Sequence, residues 1–261
     1  MHTDGNITYS VRDLRFSYGK NEVLKGASFD IRSGIITTLI GANGCGKTTL
    51  FNLLTKNLVP GGGKISFCNR PLSEIRLKDF AKKAAIVHQY NTAPSDLTVE
   101  KLVSYGRTPH HTFGLSKNAE EDREIITRAM EITGTLKHRD KPVSQLSGGQ
   151  KQRVWIAMAL AQDTDVLFLD EPTTYLDIRY QLQILRLIKR LNRDLGITVI
   201  MVLHDINQSL YYSDEIIAMK DGKISAQGNP KEIIGQQLIH DIYGVDLKVT
   251  SVDGDPFIIP V

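Results

Sequence analysis

Residues 35–58 constrain this chain more than any other stretch. Ile35-Ile36-Thr37-Thr38-Leu39-Ile40 is an apolar, β-branched run that reads as a buried strand. It leads into Gly41-Ala42-Asn43-Gly44-Cys45-Gly46-Lys47-Thr48-Thr49, where Gly41, Gly46, Lys47 and Thr48 fill every fixed position of the pattern G-x-x-x-x-G-K-[ST]. From Lys47 to Leu58 a helix is expected, with Leu50, Phe51, Leu53, Leu54 and Leu58 on its apolar side. The glycines let successive backbone N–H groups turn inward, making an anion nest at a helix N-terminus whose dipole favours negative charge. Lys47 adds a charge that reaches β- and γ-phosphates, and the Thr48 hydroxyl is placed to ligate Mg²⁺.

The rest of the composition narrows the setting. The chain has 261 residues, enough to bury a sizeable core, and its net charge of +3 comes from 32 basic against 29 acidic residues. That balance is too even to argue for nucleic acid or a membrane surface as the partner. The longest apolar runs, such as Ile197 to Leu203, are strand-sized and cannot cross a bilayer. Residues 1–10 lack the basic end and apolar stretch of a secretory signal. Cys45 and Cys68 give no disulfide framework, which points to a reducing cytoplasm. Cys45 reads either as a small filler or as a thiol made sensitive by a helix N-terminus.

Along the chain, Ile7 to Tyr18 and Glu22 to Ile31 read as antiparallel strands joined at Gly19-Lys20-Asn21. Tyr18 is open to two readings, an ordinary strand residue or an aromatic that stacks on adenine. Pro60-Gly61-Gly62-Gly63 is a turn before a strand at Lys64 to Phe67, and Ile86 to His88 is a short strand ending at Gln89. Residues 97–163 read as mostly helical, with Asn118 capping a helix that buries Ile125, Ile126, Ala129, Met130 and Thr133 and stops at Gly134. At Leu146-Ser147-Gly148-Gly149-Gln150 a second Gly-rich turn opens a helix from Lys151 to Gln162. Val166 to Leu169 is a buried strand ending in Asp170-Glu171. A helix from Ile178 to Leu195 should turn Leu182, Leu185, Ile188, Leu191 and Leu195 inward and end at Gly196. Thr198 to Leu203 is the next strand, ending at His204, and Asp205 caps a short helix; Glu215 to Met219 and Ile224 to Gln227 form a hairpin.

The expected fold is therefore α/β: a phosphate-loop core with a mainly parallel sheet, an N-terminal antiparallel β subdomain and an inserted helical subdomain, all in one compact unit. Ligands in such sheets sit beyond the carboxyl ends of the strands, where Gly41, Gln89, Asp170 and His204 all fall. Asp170 is suited to hold the Mg²⁺ shell and Glu171 to polarise an attacking water. Gln89 reads as an Mg²⁺ ligand or as a structural strand-end residue, and His204 as a γ-phosphate contact or a structural one. Ser147, Gly148 and Gly149 form a spare phosphate clamp, although Gly41 to Thr49 already saturates one nucleotide. A second copy of the chain resolves the count: two chains head-to-tail would bury two ATPs, each held between one chain's loop and the other's clamp.

Gly41 to Thr49, Gln89, Leu146 to Gln150, Val166 to Pro172, Tyr175-Leu176-Asp177 and His204 resemble, in order, the Walker A, Q-loop, signature, Walker B, D-loop and H-loop of ABC-type ATPases. The resemblance implies that Tyr18 stacks on adenine and that Ser147, Gly148, Gly149, Gln150 and Asp177 act across a homodimer. It also implies that the helical insertion docks on a membrane permease near Gln89. Ala42 and Cys45 depart from the residues common in that loop, Pro and Ser, but neither removes an amide donor. Tyr105-Gly106-Arg107-Thr108-Pro109-His110, Thr174 to Ile178 and Gly254-Asp255-Pro256 further resemble the ATPase subunits of importers for ferric siderophores, haem and cobalamin. These work with a separate permease and binding protein, which places the chain at the cytoplasmic face of the cell membrane. His110-His111 reads as a solvated helix-connection pair rather than a metal site. The alternative function is a soluble ABC ATPase acting on nucleic acid or ribosomes, disfavoured by the single cassette and the even charge. The domain limits expected are about 1–90 and 164–235 for the nucleotide-binding core, 91–163 for the helical subdomain and 236–261 for a tail.

Overall fold

A computed structural model describes residues 6–111, 118–252 and 255–259. Gly254 of the tail motif and the first five residues lie outside them. The chain divides into two compact units, Met1–Ile75 with Thr198–Val261, and Arg76–Ile197.

The first unit opens with the predicted hairpin, β1 (Ile7–Tyr18) and β2 (Asn21–Arg32). Alternation buries Tyr9, Val11, Leu24 and Phe29 while Arg12 and Asp30 pair outside at 2.8 Å. Next comes β3 (Ile36–Gly41), buried at all six positions, then α1 (Lys47–Leu54). The helix is one turn shorter than expected. Lys56 takes a left-handed φ of 62°, and the amides of Asn57 and Leu58 both turn back onto the Asn52 carbonyl at 2.8 and 3.1 Å, which ends the i−4 ladder. β4 (Gly62–Phe67) and the two-residue β5 (Arg70–Pro71) complete an antiparallel sheet of order β2-β1-β4-β5. The strand starts inside the predicted glycine turn, because Gly62 already pairs with Arg15.

The second unit contains α2 (Leu77–Ala81), β6 (Ala84–Val87), α3 (Val99–Ser104), α4 (Ala119–Thr133), α5 (Gly148–Ala161), β7 (Val166–Asp170) and α6 (Ile178–Leu195). β6 and β7 are parallel neighbours. Helices α3 to α5 share an apolar interior that includes Val99, Leu102, Met130, Val154 and Ala157. Asn118 accepts the Glu121 amide at 3.3 Å to start α4, and Gly134 ends it at φ 70°. On α6 the buried stripe is Ile184, Leu185, Leu187, Ile188 and Leu191. The stripe is shifted from the one expected. Leu182 is only half-buried and Leu195 is exposed, since the ends of an amphipathic helix overrun the core they cover.

His110 and His111 are not the solvated pair expected. His110 Nε2 lies 2.8 Å from the Gln162 carbonyl, and His111 Nε2 2.9 Å from Asp122, which also takes the buried Arg107 guanidinium at 2.7 Å. Arg107 further donates to the Ala161 carbonyl at 3.0 Å, so this loop is bolted to α4 and α5.

Returning to the first unit, β8 (Thr198–Val202) leads to α7 (Ile206–Tyr212), and β9 (Glu215–Lys220) and β10 (Lys223–Gly228) form the predicted hairpin. β3 runs parallel between β8 and β9. The end of the chain is more ordered than its sequence announces. It contributes α8 (Pro230–Ile233), α9 (Gln236–Tyr243) and the hairpin β11 (Lys248–Val252) with β12 (Asp255–Ile259). Among the described residues no helix is long and apolar enough to cross a membrane.

Candidate functional site

In the first unit β3 delivers the loop Gly41 to Gly46 directly into the N-terminus of α1. Gly41, Gly44 and Gly46 take φ of 150°, 80° and 109°, where side chains are strained. A Cβ on Gly41 would also lie 2.4 Å from the Met219 carbonyl and 2.6 Å from Cys45 Sγ. Lys47 is buried and folds back over the loop, its Nζ donating to the carbonyls of Gly41 at 2.7 Å and Ala42 at 3.0 Å. The Cys45 carbonyl accepts the Gly222 amide at 3.0 Å, tying the loop to the β9–β10 turn. The first turn of α1 carries no acidic residue, which suits an anion at this helix start. Asn43, Gly44 and Thr48 are exposed, Ala42 is half-buried, and Gly46 and Thr49 are buried.

Burial pushes the Cys45 thiol up, with Lys47 pulling the other way, and its side chain is only 5% exposed. The filler reading of Cys45 therefore fits this loop. Tyr18 is half-exposed and meets Phe16 edge-on, centroids 4.8 Å apart, which leaves ring surface open for stacking. His204 is exposed just ahead of α7, and Asp205 caps that helix by accepting the Gln208 amide at 2.9 Å.

The second unit gathers the other predicted residues around two strand ends and two helix starts. Asp170 closes β7, and Glu171 follows in a left-handed conformation with φ 49°. Gln89 Nε2 donates to Glu171 Oε2 at 2.6 Å, and Thr174 Oγ1 donates to the same oxygen at 3.1 Å. Beside them the Tyr90 and Tyr175 hydroxyls meet at 2.7 Å. Ser147 is the N-cap of α5 in a reciprocal capping box: its Oγ accepts the Gln150 amide at 3.4 Å, and Gln150 Oε1 accepts the Ser147 amide at 2.9 Å. Gly148 and Gly149 thus belong to the first helical turn, so α5 starts three residues before the Lys151 expected from sequence. A Cβ on Gly149 would lie 2.3 to 2.9 Å from Tyr180, so the close approach of α5 to α6 at this point requires glycine. Asp177 caps α6 through the Tyr180 amide at 3.1 Å.

The Thr174 bond to Glu171, the place of Tyr180 and the Tyr90–Tyr175 contact escaped the sequence reading. A threonine three residues after a strand-end carboxylate is a detectable turn signal, whereas the tyrosines need the fold.

A family model described as ABC transporter matches residues 24–174. The chain belongs to the ABC transporter family. Its similarity extends beyond that match: the ferric enterobactin transport ATP-binding protein FepC of Escherichia coli is 42% identical over 262 residues, spanning 98% of this chain and 96% of the relative. The iron(3+)-hydroxamate import ATP-binding protein FhuC of Bacillus subtilis is 42% identical over 242 residues, 93% of this chain and 90% of its own. Among solved structures, cbiO1 of Clostridium perfringens, part of the ABC transporter complex cbiONQ, is similar at a TM-score of 0.79 and 33% identity, covering 90% of this chain and 93% of that one.

Proposed function

We propose that this chain is the ATP-hydrolysing subunit of an importer that takes up a ferric siderophore through a separate membrane permease, docked at the cytoplasmic face of the membrane. One observation carries the reading: a phosphate nest already shaped by strained glycines, with a buried lysine inside it, in a chain about two-fifths identical to iron-siderophore import subunits along nearly its whole length. Haem and cobalamin remain cargo outcomes of the uptake test below. The even charge and these relatives leave nothing that favours the nucleic-acid or ribosome reading.

Each side chain takes a role its position supports. The amides of Gly41 to Thr49 and the Lys47 ammonium hold the β- and γ-phosphates, and Tyr18 stacks on adenine. Glu171 orients and deprotonates water, and His204 contacts the γ-phosphate. The Thr48 hydroxyl, the Gln89 side-chain oxygen and the Asp170 carboxylate are the hard oxygen donors that Mg²⁺ prefers, and the Gln89 amide nitrogen, turned to Glu171, leaves that oxygen for it. A Mg²⁺ held by these three donors would offset phosphate charge.

The Ser147 oxygen accepts the Gln150 amide, so its proton is still available to donate, and the first-turn amides of Gly148 and Gly149 have no partner within their helix. We assign this clamp, with Gln150 and Asp177, to the nucleotide of a second copy, giving a homodimer closed by ATP. The chain is then one cassette: 1–90 and 164–235 as core, 91–163 as the helical subdomain that meets the permease, 236–261 as tail, with a binding protein supplying cargo outside.

The test is Glu171→Gln. It should bind ATP, turn over at least about 100-fold more slowly, and elute as a stable ATP-bound dimer; turnover near the unmodified rate removes Glu171 from the base role. Deleting the gene in its host and measuring uptake of iron delivered as siderophore or haem, and of cobalamin, identifies the cargo.

A further inference from the structure

The end of the chain lies outside residues 24–174, yet it touches both functional segments of the first unit. Among the described residues β12 has a partner strand on one edge only, β11. On its other edge the backbone of Ile258 faces Asn207 of α7. Asn207 Nδ2 donates to the Ile258 carbonyl at 2.9 Å, and its Oδ1 accepts the Ile258 amide at 2.8 Å. One primary amide thus replaces a missing strand, a fit that only Asn or Gln chemistry provides. Asn207 lies three residues after His204 on the helix that Asp205 caps.

At the other end of the tail, α9 presents Tyr243 to the phosphate loop. Tyr243 packs against the buried cluster that holds Ile40, and burial pushes its phenol pKa up to about 12, with the Gly41 backbone drawing it the other way. Between the two contacts, Ile239, Ile242 and Ile258 pack in one buried cluster with Ile40, the residue before Gly41, and Leu210 of α7.

We propose that Asn207 and Tyr243 are positioning residues, through which the segment Pro230–Ile259 sets the stance of the His204-bearing helix and of the first residue of the phosphate loop. A bidentate side-chain grip on a single residue resists both rotation and sliding of α7. The buried isoleucines transmit that restraint to the strand that feeds the loop. The tail is therefore part of the nucleotide site rather than an appendage. The Asn207 arm rests on the reading that His204 acts on the γ-phosphate; the Tyr243 arm does not.

Steady-state ATPase kinetics of the full chain test this, with Asn207→Asp, Asn207→Leu, Tyr243→Phe and His204→Ala compared well below their unfolding midpoints. Aspartate keeps the acceptor but turns a second oxygen on the Ile258 carbonyl, and leucine removes both bonds. Both Asn207 variants should lose about three- to tenfold in kcat with KM for ATP nearly unchanged, as expected for one or two hydrogen bonds felt in the closed state. Tyr243→Phe should act mainly on KM, raising it about threefold. A purely structural tail would lower the melting temperature and leave kcat and KM per folded molecule untouched, and that result overturns the inference. If His204→Ala is inactive while the Asn207 variants turn over normally, the Asn207 arm fails alone. Full activity of His204→Ala instead removes the His204 reading and the Asn207 arm with it, and leaves Tyr243 to be judged by its own KM.

Discussion

Lys47 is the most heavily committed side chain of the phosphate loop. With two backbone carbonyls on its ammonium group, it holds the nest in shape before any anion arrives, so part of the ordering cost of binding is already met. Lys47→Ala removes both the charge and this internal brace, and isothermal titration should show ATP binding lost. Gly41 tolerates no side chain for a separate reason, the 2.4 Å approach of the Met219 carbonyl. Gly41→Ala should distort the loop and weaken ATP binding even though it removes no donor. The two cysteines differ in the same local way: Cys68 is exposed, while Cys45 is buried and its thiol is raised by that burial. Timed alkylation at pH 8 should label Cys68 first and Cys45 far more slowly; equal rates would contradict the packing described. At this scale the places of the loop glycines and Lys47 were legible because a fixed spacing picks them out, and those of Asp170 and Glu171 because they close an apolar run. Tyr243 and Asn207 were not, because their partners lie far away in sequence and are backbone atoms, which carry no residue signature.

Among elements, capping decided how well the sequence could be read. α4 and α6 begin and end where Asn118, Gly134, Asp177 and Gly196 place them. α1 ended early because no residue near Leu54 announces a stop; the left-handed turn falls on Lys56, an ordinary helix former. α5 began early because two glycines look like a turn although the Ser147–Gln150 box makes them helical. Gly149→Ala tests the consequence: the added methyl must displace Tyr180, so turnover should fall and thermal stability drop by about 1–3 kcal/mol. The tail elements were the poorest read, being short and held by tertiary packing rather than by propensity. In the helical unit the group Arg107, Asp122 and His111 is the firmest polar contact between elements, and both Arg107 and Asp122 are largely buried. Arg107→Leu takes the guanidinium away from the largely buried Asp122 carboxylate and should destabilise the chain by about 3–5 kcal/mol in urea unfolding, whereas single substitutions of exposed pairs such as Arg76–Asp79 should be nearly silent.

For the whole molecule, the fold class followed from strands alternating with helices plus one loop that demands a strand before it and a helix after it. The parallel neighbours of β3 and the antiparallel N-terminal sheet appear as expected. Assembly is where the proposed roles predict most, since two glycine-rich helix starts stand against one nucleotide motif. Scattering of Glu171→Gln should give a particle of twice the chain mass with ATP and Mg²⁺ and of one chain mass without nucleotide. Ser147→Arg should keep ATP binding by each chain and abolish that doubling.

Glu171 has a last consequence. Its left-handed backbone is uphill by about 1 kcal/mol or more, and the two donors gripping Oε2 return an amount of the same order. Any event that draws the carboxylate away from Gln89 and Thr174 therefore unbalances the main chain beneath it. The grip on the side chain and the unusual main chain beneath it are thus held in one balance.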